Sequence, residues 1–322
     1  MSYSKSITSS TRHLGKRLLE WYEANGRHDL PWRQSRDPYR VYISEIMLQQ
    51  TQVERVRSHY YPAFLAKFPT LSALAKAPLD EVLALWSGLG YYQRARNLHK
   101  TALLCPDGLP KSLEELKKLP GIGDYTAAAI CSFAYDQPVA VVDTNIKRLL
   151  SRLFALSSPT PSKLWHVASQ LLHPKRPRDH NLALMDLGAL VCTAQNPKCE
   201  ACPLTHLCQA EDPLLFGQNK RQKRKDMTLH FGISIQDGKL AMVRSQKRLY
   251  EGMLLFPPVS PTSEPLVTYR HSYTRYNLTI HLHSLPTPPQ NAVWIDIQRL
   301  QEYPLASLAT KGIALLRQKL VL

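Results

Sequence analysis

From residue 14 to residue 210 the apolar positions recur at helical spacing between short polar joints. In TQVERVRSHYYPAFLAKF, Val53, Val56, Tyr60 and Phe64 share one helix face, and Thr51 with Glu54 three residues later has the pattern of a capping box. SLEELKKL repeats that pattern with Ser112 and Glu115, while LWHVASQLL and NLALMDLGALVC carry the helical period up to residue 192. The pattern then changes. LHFGISIQDGKLAMVRS holds two extended runs around an Asp-Gly turn, which predicts a β-hairpin. YNLTIHLHSL alternates with period two, and SLATKGIALLRQKL predicts one late helix.

Between the two regimes lies NKRQKRKDM, polar and strongly basic, which reads as an exposed linker. The expected organisation is an all-α domain over 1–212, a basic linker over 213–228 and a smaller α+β domain over 229–322, without internal repeats. A chain of 322 residues is long enough for two such domains to bury a core each.

Composition adds a partner class. The 41 Lys and Arg outnumber the 25 Asp and Glu, a net charge of +16, so polyanions are attracted and nucleic acid is the default ligand. No apolar run reaches membrane-spanning length, and MSYSKSITSSTRHLGKR lacks the apolar centre of a secretory signal. A cytoplasmic protein without a membrane partner is expected.

Four of the six cysteines, Cys192, Cys199, Cys202 and Cys208, fall within CTAQNPKCEACPLTHLC. A reducing cytosol disfavours disulfides, so four clustered thiols read as metal ligands, for either a zinc ion or an iron–sulfur cluster. Cys105 and Cys131 lie in apolar helical stretches and read as inert core. In LPGIGDYTAAAI, Gly121 and Gly123 permit a tight turn ahead of a helix whose free amides suit a phosphate.

A helical domain with LPGIG, then VDTNIKRLLSRL, then the Cys-x6-Cys-x2-Cys-x5-Cys loop resembles the endonuclease III superfamily of helix-hairpin-helix DNA glycosylases. LPWRQSRDPYRVYISEIMLQQTQV and GLGYYQRARNL narrow the resemblance to the MutY adenine DNA glycosylases. It implies a monomeric, monofunctional base excision repair enzyme acting on double-stranded DNA with adenine mispaired with 8-oxoguanine or guanine. It also implies one 4Fe–4S cluster on the four cysteines, supporting a basic loop against the DNA backbone.

The same resemblance assigns roles. Glu45 matches the general acid that protonates adenine N7, and Asp143 the carboxylate that stabilises the oxocarbenium ion. Read locally, Glu45 is a helix-start carboxylate and Asp143 a helix N-cap. Tyr125 stands where bifunctional relatives carry a Schiff-base lysine. Gln50 and Tyr91 match residues that fill the gap left by a flipped base, whereas Tyr92 reads as core packing. Thr51, Gly121, Gly123 and Asn145 join them as DNA contacts, and Trp32, Arg33 and Asp186 surround the adenine pocket. Two departures stand out. Thr144 replaces the usual Gly after the catalytic Asp, and Leu182 replaces a Gln of the adenine pocket.

For residues 229–322 the resemblance implies a Nudix-like domain that reads the 8-oxoguanine strand. No clustered Glu box is present, so nucleotide hydrolysis is not expected. Tyr273, Thr274 and Arg275 replace the family's Phe-Ser-His lesion-reading loop. Arg275 is charged and donor-only, which predicts weaker discrimination between 8-oxoguanine and guanine. Two other readings remain at this point: a thymine-mismatch glycosylase of the same superfamily, and a non-catalytic iron–sulfur DNA-binding module.

Overall fold

The computed structural model describes residues 3–217, 224–247, 250–261, 264–273 and 276–320. Thr274, Arg275 and most of the basic NKRQKRKDM stretch therefore lie outside the described residues. The chain falls into two compact units, Met1–Gln49 with Asp107–Lys220, and Gln50–Pro106 with Arg221–Leu322.

The first unit is all helical. Its main elements are Tyr3–Asn25, Pro38–Leu48, Leu113–Lys117, Asp124–Phe133, Thr144–Leu153, Pro161–Leu171 and Pro177–Leu190. Short polar residues start most of them. The side chains of Asp37, Ser112, Asp143 and Thr160 each accept a backbone N–H of the following turn, and Pro38 and Pro161 occupy the first turn, where no N–H is needed. Ser112 also donates its hydroxyl to the Glu115 carboxylate at 2.8 Å, so the expected Ser112 cap forms, with Glu115 bonded to the hydroxyl and not to the Ser112 N–H. The core includes Leu18, Ile43, Met47, Ile130, Leu150 and Leu187, all fully or nearly fully buried. Cys131 is buried there as well.

The second unit joins the helical segment 50–106 to the strands. This cuts across the expected boundary at residue 212, because direct bonds tie the helical segment to the C-terminal residues. Arg244 is forked onto Asp80 at 2.9 and 2.7 Å, Ser87 Oγ donates to the Leu305 carbonyl at 2.8 Å, and the Ser307 amide donates to the Tyr92 hydroxyl at 2.8 Å. Tyr92 is 2% exposed, the core role expected of it.

Two sequence expectations fail here for physical reasons. Thr51 caps nothing. Gln50 takes a left-handed backbone at φ 56°, which turns the chain so that Gln52, without a side-chain bond, precedes the helix. Thr51 Oγ1 instead accepts from Arg94 at 3.4 Å. The expected single helix after it is also interrupted, with α-helical Val53–Arg55, a π turn Val56–Tyr60 and α-helical Tyr61–Lys67. Pro62 has no N–H for the ladder, and the wider turn directly before it accommodates the loss.

The strands are β1 (Lys225–Ile233), β2 (Ile235–Gln236), β3 (Lys239–Arg244), β4 (Leu254–Leu255), β5 (Val267–Tyr273), β6 (Tyr276–Ser284) and β7 (Val293–Asp296), followed by helix Ser307–Leu320. β1 thus begins inside the stretch expected to be linker, its first residues exposed and its last three buried. One sheet runs β1-β6-β5, with β1 parallel and β5 antiparallel to β6; in the other, β3 pairs with β2, β4 and β7. The Asp-Gly turn is as expected: Asp237 and Gly238 have φ 48° and 71°, the two left-handed residues of a type I′ hairpin. Phe256, Ile280, Leu282, Ile295 and Leu308 form the core of this α+β part.

Candidate active site

Helix Pro38–Leu48 carries Glu45 into the first unit's interior, where the residue is 5% exposed. Glu45 opens the helix's last turn rather than its first, which overturns the reading of a helix-start carboxylate. The dipole there disfavours its negative charge. Tyr125, on helix Asp124–Phe133, donates its hydroxyl to Glu45 Oε2 at 2.6 Å. Burial raises the Glu45 pKa to about 7. The Tyr125 hydrogen bond opposes the rise, Asp143 adds to it and Arg33 opposes it. A carboxyl that still holds its proton near neutrality is suited to general-acid work.

Asp143 both caps a helix and stands beside that acid. Its Oδ1 accepts the Ile146 N–H at 2.6 Å, and its Oδ2 accepts the Asn145 side-chain amide at 2.8 Å. Burial raises its pKa, and these donors oppose the rise by favouring the charged form. Asn145, expected to touch DNA, thus serves Asp143. Its Oδ1 in turn accepts from Arg148 at 3.0 Å. Gly188 permits this arrangement, since a Cβ there would lie 2.9 Å from Asn145 Cβ.

Of the expected adenine-pocket residues, Trp32 is buried and Asp186 is fully buried. Arg33 forks onto Asp186, with one arm at 2.8 Å, and Arg27 adds its side chain at 2.7 Å and its backbone N–H at 2.9 Å. Burial pushes Asp186 up, but the arginines outweigh it and hold the carboxyl below its ordinary pKa. Asp186 thus holds Arg33, which lies close enough to Glu45 to lower its pKa. Leu182 is buried in the helix that carries Asp186. Arg27 escaped the sequence reading because its partner lies 159 residues away.

Gly121 turns the helical hairpin with φ 75°, and Gly123 precedes helix Asp124–Phe133 with open space where a Cβ would stand. In the second unit, the two residues matched to base-gap filling, Gln50 and Tyr91, have left-handed φ of 56° and 49°. Non-glycine residues in that region carry strain of about 1–3 kcal/mol and cluster at functional sites. Tyr273, the last described residue before Thr274, packs its ring 5.9 Å from that of Tyr91.

The four cysteines line one cavity of about 190 Å³ beside Leu153 and Val191. Among the described residues no three Cys, His, Asp or Glu side chains converge as on a single metal ion. Four thiols spread around a cavity fit a multinuclear cluster. Two buried arginines anchor the loop. Arg152, 1% exposed, donates to Cys192 Sγ at 3.3 Å and to the carbonyls of Thr193, Ala194 and Pro213 at 2.7, 3.1 and 2.7 Å. Arg148 donates to the Cys192 and Gly188 carbonyls at 2.9 and 2.6 Å. Both sit on the helix that Asp143 caps, so one element carries the catalytic candidate and the loop anchors. Their signal was present in TNIKRLLSRL: two arginines four apart on a helix otherwise buried through Ile146, Leu149, Leu150 and Leu153.

Residues 43–174 match the HhH-GPD superfamily base excision DNA repair proteins, and residues 192–208 match the iron–sulfur binding domain of endonuclease III. The adenine DNA glycosylase of Rattus norvegicus is 47% identical over 213 residues, covering 61% of this chain and 41% of the rat protein. That of Buchnera aphidicola subsp. Schizaphis graminum is 35% identical over 254 residues, covering 74% of this chain and 73% of the relative. A thermostable thymine-DNA glycosylase of known structure shares the fold at TM-score 0.59 and 31% identity, covering 63% of this chain and 96% of that one. The chain spans less than half the length of the rat relative. The cysteine loop holds a 4Fe–4S cluster. With its acid, capped carboxylate and cluster loop on one helical unit, the chain belongs to the adenine DNA glycosylase (MutY) family of the endonuclease III superfamily.

Proposed function

We propose that this protein is a monofunctional adenine DNA glycosylase that excises adenine mispaired with 8-oxoguanine or guanine and leaves an abasic site. The observation that carries the reading is the buried Glu45, with a pKa of about 7, bonded to Tyr125 and electrostatically coupled to Asp143. The adenine flips from the duplex at a cost of a few kcal/mol in lost stacking. Glu45 then gives its proton to N7, which turns adenine into a competent leaving group. Asp143 stabilises the positive charge left on the sugar until a water adds to C1′ and releases its proton to solvent, which gives the abasic site. Tyr125 offers no amine, so no Schiff base forms at that position.

Gln50 and Tyr91 fill the space the base vacates. Gly121, Gly123 and the amides of the following helix grip the backbone phosphate, and the 4Fe–4S cluster keeps its loop in shape for the same backbone. We infer that residues from about 225 onward are the Nudix-like part that senses 8-oxoguanine, supported by its small α+β make-up. We further infer a monomer working on chromosomal DNA in the cytoplasm. A thymine glycosylase shares the fold at 31% identity, whereas the curated adenine enzymes reach 47%.

The test is to incubate the protein with duplexes bearing each mispair and to cleave abasic sites with alkali. Alkali-dependent breaks at adenine opposite 8-oxoguanine and guanine are expected. Breaks at thymine, or at no base, would contradict the reading.

A further inference from the structure

Within the second unit, Tyr91 lies in the loop between helices Leu79–Leu85 and Gln93–Leu104, and it holds φ 49°. Something must stabilise a bulky residue in that conformation. Its ring sits against two groups. The Arg94 guanidinium lies 5.6 Å from the ring centroid, and the Tyr273 ring, at the end of β5, lies 5.9 Å away at an interplanar angle of 32°.

Tyr273 is itself held from behind. Its ring is 5.0 Å from that of Tyr250, which is 4% exposed and lies 6.3 Å from the ring of buried Tyr92. Tyr92 takes the amide of Ser307 at the start of the last helix. Two C-terminal tyrosine rings, Tyr250 and Tyr273, thus bridge from Tyr92 back to its sequence neighbour Tyr91.

We propose that Tyr273 is a positioning residue, whose ring and hydroxyl, the latter accepting the Tyr91 backbone N–H, hold Tyr91 in its left-handed conformation before DNA binds. On this basis the C-terminal residues act on adenine extrusion through Tyr91, and not only by touching the lesion. Family resemblance makes Tyr273 a lesion reader; its ring also packs against Tyr91 and Tyr250. The proposal rests on the reading that Tyr91 fills the gap left by the flipped base.

The experiment uses the full chain with its cluster and a duplex carrying 2-aminopurine opposite 8-oxoguanine, whose fluorescence reports the extruded base. Single-turnover adenine release is measured alongside. The variants are Tyr91→Ala, Tyr273→Ala, Tyr273→Phe and the double alanine variant, each checked for iron content and thermal midpoint. Tyr273→Ala is expected to lower extrusion and release about two- to tenfold, the worth of one aromatic pair. Tyr273→Phe, which keeps the ring but loses the hydroxyl that accepts the Tyr91 backbone N–H, falls between wild type and Tyr273→Ala, and the double variant is no worse than Tyr91→Ala. If the two alanine effects multiply, or if Tyr273→Ala extrudes the base like wild type while Tyr91→Ala does not, Tyr273 does not act through Tyr91. If Tyr91→Ala itself behaves as wild type, the gap-filling role of Tyr91 falls, and the proposal with it. Should Tyr273→Ala fail to fold, Tyr273→Leu paired with Tyr91→Ala completes the same cycle.

Discussion

Tyr125 donates to Glu45 at 2.6 Å, and this bond works against the burial that raises the acid's pKa. Burial is the largest influence on Glu45 and raises its pKa, and the Tyr125 bond is the largest that lowers it. With Asp143 raising it and Arg33 lowering it, the balance lies at about 7. A tyrosine at a position where lyases need an amine therefore does more than omit the Schiff base: it tunes the neighbouring acid.

Tyr125→Phe removes that donor. The bond favours the ionised carboxylate, so its loss raises the Glu45 pKa, by about one unit for a hydrogen bond to a charged group. The protonated form is the active one, so the alkaline limb of the pH–rate profile should move to higher pH. Single-turnover release measured from pH 6 to 10 checks this, and a limb that stays in place or moves down would refute it.

Because no amine stands at position 125, borohydride should trap little covalent complex under conditions that trap a true lyase. Strand breaks should appear only after alkali. Efficient trapping, or prompt breaks, would identify another amine as a nucleophile.

Arg152 is buried with five oxygen and sulfur acceptors around it, four of them on or beside the cysteine loop. Arg152→Met removes this donor; the Cys192 and Pro213 carbonyls keep Arg148 and the Phe216 N–H, and the other acceptors lose a partner, a loss on the order of 3 kcal/mol. The variant should purify with less iron per chain and lose the remainder faster to a chelator. Full iron content with an unchanged thermal midpoint would show that the loop does not depend on this anchor.

His180 is fully buried, neither ring nitrogen has a hydrogen-bond partner among the described residues, and burial lowers its pKa to about 4. The unfolded chain binds this proton near pH 6.5 and the folded one only near 4. Stability should therefore be full above about pH 6.5 and fall as the pH drops towards 4, by roughly 3 kcal/mol. Denaturation of wild type and His180→Leu across that window isolates the term. The variant should lose less stability on acidification, and equal losses would contradict the assignment.

What was legible in the sequence was local. Ser112 and Asp143 cap helices because a short polar side chain reaches its own next turn, and Asp237-Gly238 turns a hairpin because both accept positive φ. The cysteine spacing announced a metal loop for the same reason. Thr51 misled because the cap pattern is silent about Gln50, whose left-handed backbone redirects the chain. The clamp of Arg27 and Arg33 on Asp186 joins residues more than 150 positions apart, and the parallel pairing of β1 with β6 spans the domain. Neither leaves a local pattern. The pairing of segment 50–106 with the C-terminal residues was equally hidden, because it rests on single contacts such as Ser87 with Leu305.

The most direct measurement is the pH dependence of single-turnover adenine release from an adenine–8-oxoguanine duplex, for wild type and Glu45→Gln. Wild-type release should be flat at acid pH and fall about tenfold per unit above a pKa near 7, as the Glu45 proton is lost. Glu45→Gln should bind the mispair, release adenine about a hundredfold to ten-thousandfold more slowly, and lack that limb. A wild-type rate that stays level or rises from pH 6 to 9, or a Glu45→Gln rate close to wild type, would show that Glu45 is not the acid.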